Sequence, residues 1–135
     1  MTTYKPENWK ELRQNLRFAT SPLKLDELKE AIEAPGCHPD VWFLEPDPTP
    51  LHYIVRYAGT YNNIDDDDGT EAAKMLIDAG ANVLHMVKVS NKTLSVLQTA
   101  DKWLEGKEHN YPKLFELLRD ADSKAKNNDA GYTNN

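Results

Sequence analysis

Every apolar stripe in this sequence is short, and a proline or a glycine stops all but the last of them. Trp9, Leu12, Leu16 and Ala19 recur at three- and four-residue steps, which places them on one face of a helix over roughly residues 7–19. Thr20-Ser21-Pro22 ends it. Leu25, Leu28, Ala31 and Ile32 form a second stripe, stopped at Pro35-Gly36, since proline lacks the amide that would continue a helix. Leu51, Ile54, Val55 and Ala58 follow and end at Gly59. Ala72, Ala73, Leu76 and Ile77 end at Gly80, a residue type suited to a helix C-terminus. A fifth helix is expected over 94–103, broken by Gly106 to Asn110, and Leu114, Phe115, Leu117 and Leu118 mark a last one from Tyr111 to Ala121. Helices this short, each apolar on one face, gain their stability by packing against one another. The spacing therefore predicts an all-α fold of three antiparallel helix pairs.

The chain has 135 residues, which suits one domain with one continuous core. It contains no run of eighteen apolar residues, and its first residues lack the apolar stretch of a secretory signal. The single cysteine, Cys37, cannot form an intramolecular disulfide, so the expected setting is the reducing cytoplasm. Sixteen basic against 22 acidic residues give a net charge of −6, which repels phosphate backbones and anionic lipid surfaces, so neither nucleic acid nor membrane is expected as a partner.

Three segments between stripes are expected to be irregular. Residues 37–48 hold several prolines around Val41-Trp42-Phe43-Leu44. Thr60 to Asp68 is polar and closes with four aspartates before Gly69; it reads as a loop ahead of a helix beginning at Thr70, removable at small cost because loop entropy varies slowly with length. Residues 123–135 have almost nothing to bury and are expected to be a disordered tail.

Thr49-Pro50-Leu51-His52 and, further on, Leu76-Ile77-Asp78-Ala79-Gly80-Ala81-Asn82-Val83 together resemble an ankyrin repeat, with Thr-Pro-Leu-His opening the first helix and Gly-Ala-Asn-Val following the second. Lys92-Thr93-Leu94-Ser95 stands where the next opening would fall. Leu94 follows Leu51 by 43 residues, about ten more than the usual period of roughly 33, and Thr60 to Gly69 accounts for the excess as an insertion between two helices. The resemblance implies a solenoid with repeats near 7–45, 46–88 and 89–122, projecting loops or short β-hairpins, and outer repeats that depart from the pattern because one flank faces water. For His52 it implies a structural role, its ring satisfying backbone groups between neighbouring repeats.

The remaining candidates for chemistry are weak. His38, His52, His85 and His109 fall in different elements without metal-ligand spacing, and neither a metal nor a cofactor is expected. Asp65 to Asp68 fails as a calcium loop, because Thr70 and Leu76 stand where such a loop needs glycine and glutamate. The run reads as a solvated patch favouring the positive end of the next helix, with an acidic docking loop as the alternative. Cys37 beside His38 lacks a third group to orient it, and no phosphate loop or nucleophile elbow is present, so an enzyme is not expected.

In ankyrin arrays the loop tips and first helices make a concave surface. Mapped onto this chain, that surface comprises Phe43, Glu45, Asp47, Arg56 and Tyr57, then Met86, Lys88, Val89 and Asn91, with Trp42 at its edge. Trp42 and Phe43 have no helical periodicity and serve either this surface or as a cover for the first helix pair. The mixture of aromatics, arginine and methionine matches interface hot spots. The resemblance thus implies a monomeric binding module, an adaptor, inhibitor or effector for a protein partner, in its own cytoplasm or, if delivered, a host's. An enzyme or toxin accessory using Cys37 and His38, and a structural cap in a larger assembly, are the alternatives.

Overall fold

Helix starts in this chain are written in side chains that occupy otherwise unpaired backbone amides. Thr49 precedes Pro50, and its backbone N–H donates to Nδ1 of His52 at 3.2 Å while its hydroxyl lies 2.8 Å from the same nitrogen. Ser95 forms a reciprocal capping box: its Oγ accepts from the Gln98 N–H and the Gln98 side chain accepts from its own. Asp65 accepts the N–H of Asp68 at 2.8 Å. The computed structural model describes residues 9–20, 23–35, 37, 49–61, 64–89 and 91–133.

Among these residues are six α-helices: α1 (Trp9–Thr20), α2 (Leu25–Glu33), α3 (Pro50–Tyr61), α4 (Asp66–Asp78), α5 (Val96–Trp103) and α6 (Pro112–Thr133). One hairpin joins β1 (Val87–Val89) to β2 (Lys92–Leu94), antiparallel with Lys88 opposite Thr93. The fold is mostly helical, as the stripes predict. Consecutive helices pair, α1 on α2, α3 on α4 and α5 on α6. The odd-numbered helices then pack side by side in the order α1, α3, α5, and the even-numbered ones as α2, α4, α6. Leu16, Leu28, Ile54, Leu76, Val96 and Leu114, one from each helix, are fully buried in a single cluster between these two layers. Burying such side chains stabilises the fold by about 1.5–3 kcal/mol each, before the entropy of ordering them is subtracted.

Three sequence expectations need correction. Thr60 and Tyr61 belong to α3, and α4 begins at Asp66, so Asp66 to Asp68 and Gly69 are helical and the connection shrinks to the few residues ending at Asp65. Aspartate is a poor residue for a helix interior but a good one for its first turn, where the macrodipole favours negative charge. Gly69 is buried because Ile64 and Leu114 close over it: a Cβ there would stand 3.2 Å from Ile64 Cγ2. Leu94 belongs to β2, and α5 starts at Val96, after the Ser95 cap. Finally, residues 123–133 of the expected tail continue α6. One packed face is enough to carry it, with Ala121 and Ala125 against the core and Lys124–Asp120 and Lys126–Asp122 paired one turn apart. The left-handed Gly80, at φ 104°, closes α4 as its residue type predicts.

Candidate functional site

On α3 the buried stripe Leu51, His52, Ile54, Val55 and Ala58 faces inward and leaves Tyr53 and Arg56, three residues apart, on the opposite side. Each ring or cation there meets a complement on a neighbouring helix. The Arg17 guanidinium of α1 lies over the Tyr53 ring at 5.7 Å, and Arg56 lies over the Trp103 ring of α5 at 5.6 Å. A row of alternating cation and aromatic therefore crosses the odd-helix layer. Each such contact is worth about 0.5–1 kcal/mol at an exposed site. A guanidinium seated on a ring still offers its in-plane N–H edge, a fork that matches a carboxylate.

The hairpin roots beside the first turn of α3, where the His85 ring packs edge-on against His52 with centroids 5.7 Å apart. Val87 is buried, whereas Lys88, Lys92 and Thr93 are exposed, and Asn91 turns the chain at φ 70°. Asparagine tolerates that left-handed conformation better than most residues.

Of the residues mapped from sequence, Arg56 is exposed in the row, Lys88 and Asn91 are exposed on the hairpin, and Met86 is half-buried at its root. Tyr57 lies on α3 and Val89 on β1, and their side chains fall outside the described residues. Trp42, Phe43, Glu45 and Asp47 lie outside the described residues altogether, as does His38. Arg17, Tyr53 and Trp103 were missed. Tyr53 could have been found from its spacing to Arg56, whereas Arg17 and Trp103 sit among residues whose helical pattern reads only as packing.

The aspartate run makes an internal joint. Asp66 accepts the backbone N–H groups of Lys113 and Leu114, both at 3.0 Å, and so caps α6 from α4. Asp67 pairs with Lys113 at 2.7 Å, and the buried Tyr111 hydroxyl donates to the carbonyl of Ile64 at 2.7 Å. Burial first, then the Asp65 and Asp66 charges, push the Tyr111 hydroxyl up. Lys113 is held above its usual value mainly by its bond to Asp67. These carboxylates are used in holding helices together.

His52 is a buried neutral ring. Its Nδ1 accepts from Thr49, which leaves the proton on Nε2, a buried atom without a well-formed hydrogen bond that lies against the backbone of His85. Burial, and then the nearby His85, lower its pKa to about 3 despite that loose backbone contact. Half-buried Cys37 has its thiol pushed up by desolvation, away from the thiolate that nucleophilic chemistry needs. Among the described residues no group of three or more His, Cys, Asp or Glu side chains is arranged to hold a metal ion, and no helix is long and apolar enough to cross a membrane.

One large apolar side chain among the described residues is strongly exposed. Phe18 of α1 is 60% exposed, in an open groove lined among the described residues by the first pair and its connection, with Ala19, Ala31 and Ala34 beside Lys24, Glu27 and Glu30. Comparison with protein-family models, with curated proteins and with solved structures gave no match to this chain.

Proposed function

We propose that this protein is an ankyrin-type repeat array that binds another protein through its odd-helix face and the adjoining hairpin, acting as an adaptor, inhibitor or effector with no chemistry of its own. The observation that carries the reading is the row Arg17, Tyr53, Arg56, Trp103, which joins three successive odd helices into one surface of the residue types enriched at binding hot spots. The repeat assignment is supported by the Thr49–His52 bonds that open α3, by the hairpin between the second and third pairs, and by the side-by-side packing of odd with odd and even with even helices. The raised Cys37 thiol speaks against the catalytic alternative.

A photo-cross-linking side chain placed at Lys88 on the hairpin or at Lys102, next to Trp103 on α5, and at Glu71 on α4 tests the face directly. Adducts to the same protein from Lys88 and Lys102, with none from Glu71, are the expected result. Adducts from Glu71 alone would move the interface to the other layer. Phe18 favours a second reading, a structural cap that docks end-on in an assembly: self-association on size-exclusion chromatography that Phe18→Glu abolishes would support it.

A further inference from the structure

Charge is sorted between the two layers. The odd helices and the hairpin strands carry seven basic residues against two acidic ones, Glu11 and Asp101. The even helices carry six basic against thirteen acidic. The sorting extends to pairing. Each ion pair among the described residues involves an even helix: Lys24–Glu27 at the start of α2, Lys113–Asp67 between α6 and α4, and Lys124–Asp120 and Lys126–Asp122 along α6. Arg17, Arg56, Lys88, Lys92 and Lys102 of the odd layer and hairpin meet no carboxylate among the described residues. Among the described residues, the odd helices and hairpin carry few carboxylates for the cations they expose.

We infer that the face across α1, α3 and α5 receives an acidic polypeptide segment, whose carboxylates bond Arg17 and Arg56 while an apolar side chain between them lies on Tyr53 and Trp103. The inference rests on the binding face proposed above and adds the chemistry of its occupant. Two physical points favour a peptide over nucleic acid. A duplex carries a charge every ~1.7 Å of its axis, and its binding needs a broad field of cations, whereas the cations here are few and discrete. Moreover, the even helices carry thirteen acidic residues, and a polyanion long enough to pass beyond the face onto them comes within a Debye length of about 8–10 Å, where repulsion is not screened out. A short segment with a few carboxylates fits under the basic face alone. The guanidinium forks supply bidentate bonds, and the rings under them exclude water from those bonds.

Selection of random displayed peptides on the immobilised full chain, followed by anisotropy titration of the selected peptides, tests this. Selected peptides should be rich in Asp and Glu with an interleaved apolar residue. Arg17→Gln and Arg56→Gln, both at exposed positions, should each weaken binding by roughly tenfold, and Lys88→Glu/Lys92→Glu should weaken it independently through the hairpin. Arg56→Lys should restore only part of the loss, because it keeps the charge without the fork. Binding should weaken with added salt. Neutral or basic peptides that bind and are lost with the same Arg variants would overturn the acidic occupant while leaving the binding face intact. Acidic peptides indifferent to Arg17 and Arg56 would overturn both, as would the absence of any selected peptide. An oligothymidylate that binds as tightly as the best peptide, and loses affinity with the same variants, would assign the face to nucleic acid instead.

Discussion

At the joint between α4 and α6, charges answer one another: Asp66 caps α6, Asp67 takes Lys113, and Asp65 holds its own helix end. Across α1, α3 and α5, Arg17 and Arg56 lie on rings and meet no carboxylate among the described residues. At the start of α3, Thr49 bonds the neutral His52 ring, and the His85 ring packs edge-on against it. Polar side chains at the first joint maintain the fold. Those on the second face contribute little to it, and removing them should cost the fold little.

The comparison is broken most easily by removing the joint outright. Deleting residues 61–68 takes away buried Ile64, the Asp65 cap and both carboxylates that reach α6, and should cost more than about 5 kcal/mol, most of the stability of a small domain. Thermal melts followed by circular dichroism would decide the matter, and a deletion variant melting within a few degrees of the parent would return the aspartates to the status of a dispensable loop.

Acid should separate the two regions. His52 has a folded pKa of about 3 against about 6.5 unfolded, so the unfolded chain takes up the proton first. The neutral ring's contribution is complete above pH 6.5 and is lost as pH falls toward 3, at up to about 1.4 kcal/mol per pH unit. Between pH 6.5 and 5, ahead of ordinary carboxylates, urea midpoints should therefore fall, and the fall should flatten in His52→Gln. An unchanged slope in that variant would mean that another group is responsible.

Smaller effects sharpen the joint itself. Asp66→Ala should cost about 2 kcal/mol, from two charge-assisted bonds at a helix start, and Tyr111→Phe about 1 kcal/mol, from one buried hydroxyl. Urea unfolding gives both, and costs below a few tenths of a kcal/mol would show that water replaces these bonds. Smallest of all, Arg17→Gln and Arg56→Gln should each lower stability by only about 0.5 kcal/mol. A loss of 2 kcal/mol from either would make the row part of the structural framework.

Helix positions were legible wherever an apolar stripe met a breaker, as at Leu16 to Ala19 or Leu76 to Gly80. The aspartates misled because a run of like charge on a linear sequence looks solvated. Its partners, Lys113 and Leu114, come from a helix start nearly fifty residues away, a distance no local pattern encodes. The extension of α6 past Asp122 was hidden for a related reason: two alanines are too little apolar character to read as a stripe, yet they suffice when a neighbour is already in place. In the candidate face Arg56 was reached through the ankyrin resemblance, as a residue of the first helix of the middle repeat. Trp103 was not, since a half-buried ring and a core ring look alike in sequence.

The cap on α6 also bears on how the chain is made. In a stacked array each pair touches only its neighbours, and its ends can form or fray on their own. Here the acceptor for the first turn of α6 is Asp66, which leaves the ribosome well before the helix it serves. These two amides of α6 gain their acceptor only when the helix packs on α4, so closing its first turn is coupled to docking.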